Sequence, residues 1–256
     1  MRITRSIIPN LFTLANLFSG FSAIVAISEG DLQRAGMFIL FAGMFDVLDG
    51  TMARLTRSTS ELGVELDSLC DAVSFGVAPS FLLYSTVLNV MGPIGVLIAS
   101  LSALAGVYRL ARFNVQLAGF EDKLYFSGMP IPSGALILVS YGIFIVPSGL
   151  IAPDYVLITT TCIVIIVALA MISTIKFDNI PKPTIASFKE RPLIFILGLL
   201  AFALTIYSKG AYLFYVMCGY MLLGMIRALI FMIGKKVTQD EEGDTLEDPD
   251  ENPFDL

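Results

Sequence analysis

Eight apolar stretches, each about as long as a bilayer is thick, leave this chain few ways to fold. They cover approximately residues 7–27, 32–53, 69–88, 93–117, 132–151, 155–174, 193–207 and 211–233. A membrane-crossing helix takes roughly 20 such residues. Lipid offers no hydrogen bonds, so each stretch must pair its backbone N–H and C=O groups internally, which a helix does. Only 15% of the residues are charged, against about 25% in soluble domains. The expectation is an all-α integral membrane protein of about eight transmembrane helices. Gly76 and Pro79 interrupt the third stretch, which a membrane helix tolerates when neighbours satisfy the freed carbonyl.

Charge gives the orientation. The net charge of −6 is misleading, because nine acidic residues and no Lys or Arg follow Asp240 onward. Without them, 16 basic residues face 13 acidic ones. Residues 237–256 therefore read as an acidic, disordered cytoplasmic tail behind a membrane domain of residues 1–236. Placing both termini in the cytoplasm puts fourteen Lys and Arg on that side and leaves Arg34 and Lys209 opposite. That is a strong positive-inside bias, and it points to a multi-pass protein of the cell membrane. The N-terminal Met1-Arg2-Ile3-Thr4-Arg5 has no small-residue cleavage site after it, so the first stretch reads as a retained span. A nucleic-acid partner is not expected.

Cys70, Cys162 and Cys218 lie in apolar stretches without metal-type spacing and read as small buried hydrophobes. There is no histidine, so any general base is a carboxylate, Lys, Tyr or Cys.

The second stretch ends on Asp46-Val47-Leu48-Asp49-Gly50-Thr51-Met52-Ala53-Arg54, and the third is entered through Gly63-Val64-Glu65-Leu66-Asp67-Ser68-Leu69-Cys70-Asp71. At about 100° per residue, Asp46 and Asp49 lie within roughly 60° of one another, and Gly50 and Ala53 share their face. Asp67 and Asp71, four apart, share a face of the next helix. Carboxylates at a membrane boundary are expensive and face protein or water. Four together repel one another unless cations neutralise them. Oxygen ligands without His or Cys favour Mg²⁺, Mn²⁺ or Ca²⁺, and a two-metal site suits transfer at phosphorus. Small Gly50 and Ala53 leave room for a ligand, Arg54 offers a charge-assisted bond to a pyrophosphate, and Gly63 permits a tight turn. Buried ion pairs with Arg54 and Arg57 are the plainer alternative, but two Arg cannot neutralise four Asp.

The string Asp46-x-x-Asp49-Gly50-x-x-Ala53-Arg54, then eight residues and Gly63-x-x-x-Asp67-x-x-x-Asp71, resembles the signature of the CDP-alcohol phosphotransferases at every fixed position. The resemblance implies that the fold is built on that family's six-helix core. It implies two metals, Mg²⁺ or Mn²⁺, on Asp46, Asp49, Asp67 and Asp71, with Asp71 also acting as the base. It places Asp49, Gly50, Ala53, Arg54 and Gly63 around the CDP-lipid. Pro9-Asn10-Leu11-Phe12-Thr13 resembles the family's entry to its first helix, so Asn10 and Thr13 are candidate CDP contacts; a helix-capping role for Asn10 is an equal alternative. Ser60 resembles a pyrophosphate contact.

Arg109-Leu110-Ala111-Arg112-Phe113-Asn114 and Phe126-Ser127-Gly128-Met129-Pro130-Ile131-Pro132 are similar to the phosphatidylserine synthase branch. The implied substrates are CDP-diacylglycerol or a CDP-archaeol-type ether lipid, with L-serine as acceptor, in a homodimer within the lipid bilayer. Arg109 and Arg112, three apart, could receive the serine carboxylate bidentately, although snorkelling to the membrane surface also explains two Arg. The same chemistry with glycerol 3-phosphate or an inositol phosphate is one alternative. A divalent-cation transporter is another, since intramembrane acids are expected there too.

Overall fold

Among the described residues, six helices long and apolar enough to cross a membrane follow one another along the chain. We obtained them from a computed structural model that describes residues 3–56, 60–118, 128–175, 198, 200, 203–205, 207, 208 and 210–227. In chain order they are α1 (Ile3–Ser28), α2 (Leu32–Leu55), α3 (Glu61–Thr86), α4 (Pro93–Ala118), α5 (Ile131–Ser148) and α6 (Pro153–Ile172). A shorter apolar helix, α7 (Leu213–Arg227), lies in the expected eighth stretch. Most of the expected seventh stretch, 193–207, and all of the acidic tail, 237–256, lie outside the described residues. The described residues are all-helical, and the protein is a multi-pass membrane protein.

The ends of these helices follow from local chemistry. The Asp31 side chain accepts the Arg34 N–H at 3.0 Å and starts α2. The Ser60 hydroxyl accepts the Gly63 N–H at 3.1 Å and starts α3. The helix thus begins at Glu61, eight residues before the third apolar stretch, and carries Asp67 and Asp71 on it as expected. Pro153, without an N–H to lose, opens α6.

Two helices widen by one residue where proline removes a donor. In α3 the turn Ala72–Val77 is a π turn, and the Ala78 N–H reaches back five residues to the Val73 carbonyl. Pro79 follows and has no N–H to give to Phe75. In α5 the same happens at Tyr141–Ile145, with the Val146 N–H on the Tyr141 carbonyl and Pro147 behind it. Such widened turns recur at functional sites, and the first begins directly after Asp71.

Packing places α3 at the centre, against α1, α4 and α5, while α1 lies along α2 and α4 along α6. Lipid supplies no hydrophobic drive between helices, so close approach over small residues and polar glue hold them. A Cβ on Gly20 of α1 would collide with the Ser74 hydroxyl of α3 and lie 2.7 Å from the Ser74 Cα. Ser80 and Ser102 share a buried hydrogen bond of 2.7 Å between α3 and α4, and Tyr141 and Thr160 one of 3.0 Å between α5 and α6. Leu11, Phe18, Phe21 and Val25 of α1 point outward, as a lipid-facing stripe should. Cys70 is buried as expected, whereas Cys162 is exposed on the outer face of α6, where lipid solvates a thiol as well as a core does.

Candidate active site

The acidic ends of α2 and α3 converge. One carboxylate oxygen from each of Asp46, Asp49 and Asp67 lies within 4.8 Å of the others. Asp49 Oδ2 and Asp67 Oδ1 are buried without a hydrogen-bond partner. Among the described residues neither Arg54 nor any other cation forms an ion pair with these aspartates, which removes the ion-pair alternative for Arg54. Arg57 lies outside the described residues. A buried charge without a partner is costly. Three such oxygens at that spacing, all of hard donor type, fit a divalent cation of the Mg²⁺, Mn²⁺ or Ca²⁺ class.

Asp71 lies next to that triad. It is buried on α3 at the start of the π turn, and Oδ1 accepts a hydrogen bond of 2.9 Å from Asn16 Nδ2 of α1. The other three aspartates are its electrostatic neighbours. The expected four-carboxylate cluster is therefore arranged as three gathered oxygens with a fourth carboxylate beside them, hydrogen-bonded to Asn16.

The remaining expected residues divide in two. Thr13 is buried, donates to the Pro9 carbonyl at 3.1 Å and lies beside Asp49. Asn10 does not cap its helix, because α1 starts at Ile3 and runs through it. Its Oδ1 instead lies close to Gly63, 3.7 Å from where a Cβ would sit, at the start of α3. Ser60 spends its oxygen lone pair on the cap but keeps its O–H. Arg54 is exposed, donates to the Thr51 hydroxyl at 3.3 Å and lies over Gly50, 3.5 Å from a Cβ placed there. Ala53 is half-buried on the same helix. Asn10, Ser60 and Gly63 thus meet where the free N–H groups of α3 begin, a natural seat for phosphate.

Arg109 and Arg112 are not equivalent. Arg109 is 8% exposed, has an unpartnered Nε, and counts Asp71, Arg112 and Tyr220 of α7 among its electrostatic neighbours. Arg112 is half-buried and donates to the carbonyls at the end of α6, 2.8 Å to Ile172, 3.1 Å to Ser173 and 3.5 Å to Met171. Gly128, at φ +86°, lies against the same carbonyls, and its N–H donates to the Ile175 carbonyl at 2.8 Å. Arg112 and Gly128 together finish α6, so the two arginines expected at the acceptor are held differently. Asn114 ties α4 to α3 through Ser68 at 3.0 Å.

Sequence reasoning missed Asn16, Ser74 and Tyr220. Asn16 continues the three-residue spacing of Asn10 and Thr13 along α1, a signal present in the chain. Tyr220 had none, since only folding brings α7 to α4.

Residues 6–176 match the family of CDP-alcohol phosphatidyltransferases. The chain is 33% identical to the CDP-diacylglycerol–serine O-phosphatidyltransferase of Helicobacter pylori, over 88% of this chain and 92% of that protein. It is 37% identical to the Bacillus subtilis protein of that name, over 68% of this chain and 92% of the relative. It is 34% identical to the archaetidylserine synthase of Methanothermobacter thermautotrophicus, over 68% and 70% of the two chains. The chain belongs to the CDP-alcohol phosphatidyltransferase family.

Proposed function

We propose that this protein transfers the phosphatidyl group of CDP-diacylglycerol, or the equivalent group of a CDP-ether lipid, to the hydroxyl of L-serine. The products are the phosphatidylserine-type lipid and CMP. The observation that carries the reading is the gathering of the Asp46, Asp49 and Asp67 oxygens within 4.8 Å of one another, with Asp71 buried beside them on α3. It gives the site a cation seat and, next to it, a carboxylate held by Asn16.

The CDP-lipid lies with its tails in the bilayer and its pyrophosphate at the triad, between Arg54 and the start of α3. Asn10, Thr13, Gly50, Ala53, Ser60 and Gly63 border that seat. Two divalent cations held by Asp46, Asp49, Asp67 and Asp71 would supply neutralisation of the charge that develops on the pyrophosphate oxygens. Asp71 takes the proton from the serine hydroxyl. The serine oxygen attacks the lipid-side phosphorus, the bond from that phosphorus to the bridging oxygen breaks, and CMP leaves with the bridging oxygen. Arg54 meets the departing charge. Arg109, buried and close to Asp71, receives the serine carboxylate. Both termini and the site face the cytoplasm, as the fourteen-to-two division of Lys and Arg supports. Eight spans, a tail at 237–256 and a homodimer complete the proposal.

CMP release from purified protein, with CDP-lipid and a panel of acceptors, tests the choice of serine. Serine should give CMP, and glycerol 3-phosphate or an inositol phosphate should not. Those dianionic acceptors call for more cations than Arg109 alone provides. CMP release with either of them and none with serine would reverse the assignment.

A further inference from the structure

The side chain of Asn16 is fully buried. A buried amide left unpaired costs about 1–3 kcal/mol, so an apolar residue would fill the same space more cheaply. Asn16 Oδ1 is indeed unpaired. Among the described residues, the side-chain hydrogen bond that Asn16 makes is the 2.9 Å donation to Asp71 Oδ1.

The backbone beneath it is fixed from two sides. The Ser74 hydroxyl donates to the Asn16 carbonyl at 3.0 Å, and Gly20, one turn further along α1, lets that helix lie directly on Ser74. Ser74 belongs to the π turn that starts after Asp71. One short stretch of α1 therefore grips both the carboxylate and the turn that sets its direction.

We propose that Asn16 is a positioning residue: it holds one oxygen of Asp71 in place and leaves the other to face the cation seat and the acceptor hydroxyl. A carboxylate on Cβ turns about two bonds. Tethering Oδ1 to a backbone-locked amide fixes both, and general-base catalysis requires the accepting oxygen within hydrogen-bond reach of the proton it takes. The inference rests on the proposed role of Asp71 as base.

The test compares Asn16→Leu, close in shape but without a donor, with Asn16→Gln, which restores the amide, in the full-length protein in liposomes. Turnover is expressed per site that binds CDP-lipid, so misfolded protein does not count. Asn16→Leu should lower kcat about 10–100-fold, as changes behind a catalytic ligand do, with both KM values within about threefold. Asn16→Gln should recover several-fold over Asn16→Leu. An unchanged kcat per site in Asn16→Leu, or a Gln variant no better than the Leu one, overturns the assignment. If Asn16→Leu binds no CDP-lipid, Asn16→Ser against Asn16→Ala asks the same question at smaller volume: Ser must exceed Ala, and equality overturns it. Asp71→Asn separates the two layers. Full activity in that variant defeats the base itself, whereas an inactive Asp71→Asn beside a normal Asn16→Leu defeats only the Asn16 assignment.

Discussion

Replacing Arg112 by Met asks whether this guanidinium serves the acceptor or the fold. The change removes two well-formed charge-assisted bonds, 2.8 Å to the Ile172 carbonyl and 3.1 Å to that of Ser173, and a third at 3.5 Å that contributes little. Hydrogen bonds to charged groups contribute about 1.5–3 kcal/mol each. Arg112 is half-buried, so water takes over part of the lost bonding, and about 2–4 kcal/mol is expected in total. For a chain of this size that corresponds to a fall of about 5–15 °C in the melting temperature of detergent-purified protein. Arg112→Lys should recover little, because one ammonium cannot span three carbonyls as a planar fork does. Folded Arg112→Met should keep a serine KM within about threefold of the parent, whereas Arg109→Met should raise it by at least about tenfold. An Arg112→Met protein that melts like the parent but binds serine poorly would refute the reasoning.

Further outcomes follow from other contacts. Gly20→Ala places a methyl 2.7 Å from the Ser74 Cα, so α1 must move, with an expected loss of about 1–3 kcal/mol in unfolding experiments. Ser60→Ala frees the Gly63 N–H and should cost about 1 kcal/mol while also weakening CDP-lipid binding, read as a raised KM. Asp67→Ala should abolish turnover beyond the roughly 10–100-fold typical of outer-shell changes, and Mn²⁺ titration followed by electron paramagnetic resonance should show weakened binding. Chelation should silence the parent protein, with activity returning on addition of Mg²⁺ or Mn²⁺.

The sequence carried the acid string plainly, because helical spacing alone places Asp46 beside Asp49 and Asp67 above Asp71. It carried the membrane helices for the same reason, since hydrophobic length is a local property. The hold on Asp71 was not legible, because it depends on Asn16 reaching across from α1. Likewise, Arg109 and Arg112 look alike along the chain, three residues apart. What distinguishes them is the end of α6, some sixty residues on, which arrives beside Arg112 only in the fold. The cap reading of Asn10 failed because α1 extends four residues further toward the N-terminus than its apolar run, through Arg5 and Ser6.

Direct transfer to the serine hydroxyl can be followed with serine carrying ¹⁸O in that hydroxyl. Purified protein in liposomes containing CDP-lipid and Mg²⁺ or Mn²⁺ should form one CMP for each serine-bearing lipid. The label should stay in the lipid phosphodiester, with none in CMP. Loss of the label from the lipid, or CMP formed without serine entering lipid, would contradict the account.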